Sequence, residues 1–177
     1  PMPQPCNVVI FGASGDLTFR KLIPALYNLA ADGDLPAATN IVGFARREKT
    51  DDSWRGELRE TTAKCSRSGL NDSVWSGFSK RIFYHTSDFT NAEGYRALRE
   101  KLDALDALDA AGGAAGNRLF YLSVSPTDYD LILRMLAETG LSKPRPGAWT
   151  RVIVEKPFGT DFATAESLND SIARAFP

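Results

Sequence analysis

Apolar and polar positions follow two rhythms that alternate along the chain. Val8–Phe11 is a short unbroken apolar run rich in β-branched residues, the pattern of a strand buried on both faces. Gly12 and Gly15 follow at once, and then Leu17, Leu22, Ile23, Leu26 and Leu29 recur at helical spacing. The pattern predicts a first helix from Asp16 to about Ala31, kinked or broken at Pro24 and ended by Asp32, Gly33 and Asp34. Asn40–Ala45 predicts a second strand, and Thr50, Asp51 and Asp52 open a helix that buries Trp54 and Leu58. Ser66–Ser79 is Ser/Gly-rich and is expected to be irregular, with Val74, Trp75 and Phe78 as packing residues.

Arg81–His85 predicts a third strand. Asn91 caps a helix that carries Leu98, Leu102, Leu105 and Leu108 on one face, which leaves Asp103, Asp106 and Asp109 to solvent. Ala110–Gly116 is expected to be a surface loop, and Arg118–Val124 a fourth strand. Pro126 suits the first turn of a helix that buries Leu131, Ile132, Met135 and Leu136. After the Pro-rich loop Lys143–Gly147, Arg151–Val154 predicts a fifth strand, and a last helix is expected from Asp161 to near Phe176. Strands alternating with helices predict an α/β fold: a Rossmann-like doubly wound parallel sheet of about five strands, with helices on both faces. A full sheet of this type has one more strand after the last helix, so the chain is expected to be a truncated domain with its last strand missing and a sheet edge open.

Composition narrows the function classes. The 177 residues carry a net charge of −1, so no global basic field attracts nucleic acid. Cys6 and Cys65 make no disulfide framework or metal-ligand set, and they fit inert thiols in a reducing compartment. No apolar run approaches membrane length and no signal peptide is visible, so a soluble cytoplasmic protein is expected.

In a parallel sheet of this kind the ligand crevice lies at the carboxyl ends of the strands. Gly12 permits a tight exit from the first strand, and Gly15 lets the backbone approach a pyrophosphate. The helix start beyond them presents free N–H groups and a positive dipole end to that anion, with the Ser14 hydroxyl beside it. The spacing is G-x-x-G rather than G-x-G-x-x-G, and no Gly-Lys-Ser/Thr follows, which excludes a Walker-type loop. Arg46 and Arg47 stand after the second strand, where an NAD site usually has an acidic residue. A guanidinium there matches a 2′-phosphate, so NADP is favoured, while Glu48 keeps NAD possible. Asp88, Phe89, Ser125, Pro126, Thr127 and Tyr129 follow the third and fourth strands and are candidates to line the crevice. Lys156, held before Pro157 at the end of the fifth strand, suits a phosphate, a sugar hydroxyl or a nicotinamide amide. His85, the only histidine, reads as structural. No Tyr-x-x-x-Lys pair, carboxylate pair or metal constellation is present, and no convincing general base for alcohol oxidation appears.

Four segments carry a family resemblance: G-A-S-G-D-L-T-F-R-K (Gly12–Lys21), V-G-F-A-R (Val42–Arg46), R-L-F-Y-L-S-V-S-P-T-D-Y (Arg118–Tyr129) and V-I-V-E-K-P-F-G (Val152–Gly159). Together, in order and across essentially the whole chain, they resemble the glucose-6-phosphate dehydrogenases. Thr18 stands where that family usually has alanine. The resemblance implies a cytoplasmic, homo-oligomeric enzyme of the oxidative pentose phosphate pathway that oxidises glucose 6-phosphate to 6-phosphogluconolactone with NADP. It further implies that Gly12, Ala13, Ser14, Gly15, Asp16 and Leu17, with the turn running on to Phe19, hold the pyrophosphate. Arg46 would hold the 2′-phosphate, Asp88 and Phe89 would lie near the adenosine, and Tyr129 would contact coenzyme. Lys156 would touch coenzyme and sugar, and Lys21 would approach the substrate. The family's R-I-D-H-Y-L-G-K motif and its catalytic Asp/His pair are absent from these residues, so the chain alone is expected to be the inactive coenzyme-binding part, without the catalytic and dimerisation domain. A non-catalytic NADP-binding module and another sugar dehydrogenase that shares E-K-P remain as alternatives.

Overall fold

The structure is a computed structural model that describes residues 4–66, 69–109 and 116–154, together with 172, 173 and 176. Five strands form one all-parallel sheet: β1 (Asn7–Phe11), β2 (Asn40–Ala45), β3 (Ile82–Thr86), β4 (Arg118–Leu122) and β5 (Thr150–Val154). Their order is β3-β2-β1-β4-β5. The chain builds outward from β1 to β3, then returns to the other side of β1, so the winding reverses between β1 and β4. A crevice opens at such a reversal, at the carboxyl ends of the strands.

The central strand is buried along its whole length, and its alternating side chains feed two cores. Val8 and Ile10 face one core with Ile23 and Tyr27 of α1 (Ile23–Ala31), Trp54 and Leu58 of α2 (Asp51–Cys65), and Trp75 and Phe78 of α3 (Asp72–Ser79). Val9 and Phe11 face the other core with Tyr95, Leu98 and Leu102 of α4 (Ala92–Asp109) and Ile132, Leu133 and Leu136 of α5 (Tyr129–Glu138). The expected doubly wound sheet with helices on both faces is therefore observed.

The edge strand β3 is closed by side chains. Arg55 Nε donates to the Ile82 carbonyl at 2.8 Å, the Tyr84 N–H donates to Asp51 Oδ1 at 2.7 Å, and Lys101 Nζ donates to the Tyr84 carbonyl at 3.1 Å. These contacts satisfy backbone groups that would otherwise offer a pairing template. The opposite edge strand, β5, is half-buried to exposed along its length.

Four local expectations are corrected. The stretch before α1 does not break at Pro24. Thr18–Leu22 widens into a π-turn in which the Ile23 N–H reaches the Thr18 carbonyl, and Pro24 then falls in the first turn of α1. The wider turn makes room for a ring that cannot donate an N–H. Residues within Ser66–Ser79 form α3, because Asn71 caps it by accepting from the Val74 N–H at 3.1 Å and Trp75 and Phe78 share its buried face. Leu108 is 80% exposed, one turn beyond the last buried leucine of α4.

The fourth correction concerns Asp106, which is buried rather than solvated. It accepts from Asn7 Nδ2 at 2.9 Å and from Arg118 Nη2 at 3.2 Å. Asn40 Nδ2 donates to Asn7 Oδ1 at 2.9 Å, Arg81 donates to Asn40 at 3.2 Å, and the half-exposed Asp103 bridges Arg118 and Arg145. Burial pushes the Asp106 carboxyl above the ordinary range, against the pull of Arg118. This network ties β1, β2 and β4 to α4 at the amino ends of the strands, on the edge opposite the crevice. The expected Ala110–Gly116 loop and Asp161–Phe176 helix fall almost wholly outside the described residues. Of them, Ile172 and Phe176 pack against the second core.

Candidate functional site

Gly12 leaves β1 with φ +89°. A Cβ built there lies 2.0 Å from the Ser123 carbonyl oxygen, so glycine is required both by its dihedral and by the close approach of the chain beyond β4. The Gly12 N–H donates to the Phe44 carbonyl at 3.0 Å, and the Gly15 N–H donates back to the Gly12 carbonyl at 2.9 Å. The Thr18 hydroxyl, fully buried, donates to the same carbonyl at 3.2 Å. Thr18 thereby locks the turn onto the helix that follows it.

Helical backbone begins at Asp16, and among the described residues no side chain accepts from the N–H groups that open it. This contrasts with α2, where Thr50 and Ser53 form a reciprocal capping box, and with α3, capped by Asn71. The first N–H groups of a helix have no intrahelical partner, so an uncapped start that opens on a cleft is a receptive site for an anion.

The cleft itself encloses about 550 Å³. Its walls come from every strand end around the reversal: Gly12, Ser14 and Gly15 after β1, Ala45 and Arg46 at β2, Asp88, Phe89 and Thr90 after β3, and Ser123, Val124 and Ser125 after β4, with Asp128 and Leu131 closing the side of α5. Arg46 is exposed at its rim. Asp88 is also exposed, and its carboxyl is held below the ordinary value first by hydrogen bonds from the Thr90 N–H and hydroxyl and then by the Arg46 charge.

The other candidates are placed as follows. Ala13 is buried in the core beside Trp54 rather than in the cleft wall. Asp16 is exposed and pairs with Arg20 at 3.2 Å. Leu17 and Phe19 are half-buried, and Lys21 is exposed on the π-turn. Tyr129 is 3% exposed and packs in the core behind the cleft. Lys156 lies outside the described residues. His85 sits behind the cleft, where its Nε2–H donates to the Gly94 carbonyl at 2.8 Å and burial lowers its pKa. Among the described residues no group of three or more His, Cys, Asp or Glu could hold a metal ion. Sequence reading missed Thr90, Ser123, Val124, Asp128 and Leu131 as cleft-lining residues. The signal for Thr90 was local: a Thr two residues after an Asp forms a side-chain-to-backbone turn that fixes the carboxylate.

Fold and cleft define the class: a Rossmann-like α/β domain whose carboxyl-edge crevice is framed by a glycine turn, an uncapped helix start and an arginine. The chain belongs to the glucose-6-phosphate dehydrogenase family, since residues 9–177 match the model of that family's NAD binding domain. It is 46% identical over 176 residues to glucose-6-phosphate 1-dehydrogenase of Chlamydia muridarum, covering 97% of this chain and 34% of the relative. It is 33% identical over 171 residues to a cytoplasmic isoform from Solanum tuberosum, covering 96% and 33%. A solved glucose-6-phosphate dehydrogenase in complex with glucose 6-phosphate superposes with a TM-score of 0.85 at 30% identity, covering 99% of this chain and 35% of that one. The Mycobacterium avium enzyme superposes with a TM-score of 0.82 at 30% identity, with the same coverage. The chain thus spans about a third of the length of the relatives it matches. Among its described residues no helix is long and apolar enough to cross a membrane.

Proposed function

We propose that this chain is the coenzyme-binding domain of a cytoplasmic, homo-oligomeric glucose-6-phosphate 1-dehydrogenase that uses NADP. The whole enzyme would oxidise glucose 6-phosphate to 6-phosphogluconolactone at the entry to the oxidative pentose phosphate pathway. The observation that carries the reading is the Gly12 turn, packed against the Ser123 carbonyl and followed by an uncapped helix start on the same cleft as Arg46. A diphosphate fits that start because its unpaired N–H groups and dipole favour an anion. Arg46, a planar donor with permanent charge, fits a 2′-phosphate on the adenosine ribose. Asp88 and Phe89 would flank that adenosine, and Lys156 would reach both coenzyme and sugar, with Lys21 toward the sugar side. Tyr129 would act from behind the cleft, by packing its wall. When bound, the nicotinamide supplies the hydride acceptor.

The 177 residues contain no D-H-Y-L-G-K segment. The chain on its own is accordingly the binding part and turns over no glucose 6-phosphate. The test is calorimetric titration of the chain and of Arg46→Ala with NADP and with NAD. The reading expects Arg46→Ala to weaken NADP at least about tenfold, the loss of one charge-assisted phosphate pair, and NAD far less. Equal losses for both coenzymes, or no binding of either by the parent chain, would overturn it.

A further inference from the structure

Arg46 and Asp88 leave the sheet side by side. β2 and β3 are parallel neighbours with Ala45 opposite Thr86, and the Ser87 N–H still donates to the Ala45 carbonyl at 2.9 Å. Arg46 follows one residue beyond that register on β2, and Asp88 two residues beyond it on β3. Both line the same cleft. Asp88 is fixed rather than loose: Oδ1 accepts from the Thr90 N–H at 3.0 Å and from the Thr90 hydroxyl at 2.9 Å. Among the described residues its Oδ2 has no hydrogen-bond partner.

We propose that Asp88 is a specificity-determining residue of the coenzyme cleft, a fixed negative charge that favours an unphosphorylated adenosine ribose and moderates the preference that Arg46 creates for a 2′-phosphate. The proposal rests on the coenzyme reading above and deepens it. The chemistry of the two side chains is complementary. A guanidinium only donates and an ionised carboxylate only accepts. A ribose 2′-hydroxyl can donate to Asp88 Oδ2. A 2′-phosphate brings about two negative charges, draws Arg46 and is repelled by Asp88. The rim therefore holds a cation that rewards the phosphate and an anion that opposes it. Together they give a cleft that accepts both coenzymes, with NADP ahead by less than Arg46 alone would set.

Asp88→Asn separates charge from structure, because the amide oxygen still accepts from Thr90 while the negative charge is gone. The chain, Asp88→Asn and Asp88→Ser are titrated with NADP and NAD, and their thermal midpoints are compared. The expected result is a rise of about three- to tenfold in the ratio of NADP to NAD affinity for both variants, with the Asn variant melting like the parent. An unchanged ratio in both variants, or equal gains for the two coenzymes, would overturn the role of Asp88 and leave the coenzyme site standing. Failure of the parent chain to bind either coenzyme would instead remove the coenzyme reading, and this inference with it.

Discussion

Replacing Gly12 by alanine tests the geometry of the turn. The substitution adds one methyl group at a residue with φ +89°. That dihedral costs an L-residue about 1–2 kcal/mol. The methyl would also sit 2.0 Å from the Ser123 oxygen, 2.9 Å from the Ser123 carbonyl carbon and 3.0 Å from Val124 Cγ1. Two of those three atoms are backbone, and the Ser123 N–H is held to the Phe11 carbonyl at 2.9 Å, so β1 and β4 would have to separate where they end. Overpacking of this kind costs about 1–3 kcal/mol, for a sum of roughly 2–5 kcal/mol. Gly33 supplies the control. It has φ +76° with nothing within 4 Å of its added Cβ, so Gly33→Ala carries the dihedral penalty alone. Urea unfolding followed by tryptophan fluorescence measures both variants, and NADP titration is run on each. Gly12→Ala is expected to lose clearly more stability than Gly33→Ala and to lose coenzyme binding, while Gly33→Ala keeps it. Equal stability losses, or wild-type binding by Gly12→Ala, would refute the claim that the close approach of Gly12 to Ser123 shapes the site.

Other perturbations follow from named contacts. Asp106→Ala removes the buried acceptor shared by Asn7 and Arg118, while Arg118 keeps Asp103 at 2.7 Å, so a loss of about 1–3 kcal/mol is expected in chemical unfolding, with coenzyme affinity unchanged at the opposite edge. Thr18→Val deletes one of the two hydrogen bonds to the Gly12 carbonyl and should cost about 1 kcal/mol, read by the same unfolding assay. His85 titrates below its ordinary value of 6.5, chiefly because burial disfavours the imidazolium, with the Lys101 charge adding to this and the Gly94 hydrogen bond opposing it. A base with a depressed folded pKa contributes stability that is present above the unfolded value and is lost as pH falls through the folded one. Stability should therefore decline below pH 6.5 in the parent and decline less in His85→Gln. The single histidine resonance should titrate with a midpoint below 6.5, and a midpoint at or above that value would contradict the account.

The parts of the fold that were legible in the sequence are those where local pattern and tertiary role agree. Val8–Phe11 reads as a doubly buried strand, and Gly12 marks the turn because its positive φ and its close approach to Ser123 leave no room for a side chain. Asn91 and Thr50 announced helix starts by their own side-chain chemistry. The misses share a physical cause. Asp106 falls four residues after Leu102, beside the buried stripe of α4, and only its charge suggested solvent; Asn7, Arg118 and Arg145 arrive from distant segments to satisfy it, which no local pattern encodes. α3 was hidden because its Ser/Gly content lowers helix propensity, while its stability comes from Trp75 and Phe78 packed on Tyr27. Tyr129 is a crevice candidate by its place after the fourth strand, and the short helical turn at Pro126–Asp128 leads it into the core, a placement that needs the fold. In the site, Arg46 was visible as a charge where an acid is usual. Its neighbour relation to Asp88 needed the register of β2 and β3.

The most direct measurement is a crystal structure of the chain grown with NADP. The account predicts the diphosphate against the backbone from Gly12 to Leu17 and the 2′-phosphate within hydrogen-bond distance of the Arg46 guanidinium. Coenzyme bound away from the carboxyl ends of β1 and β4, or an adenosine ribose phosphate out of reach of Arg46, would contradict it.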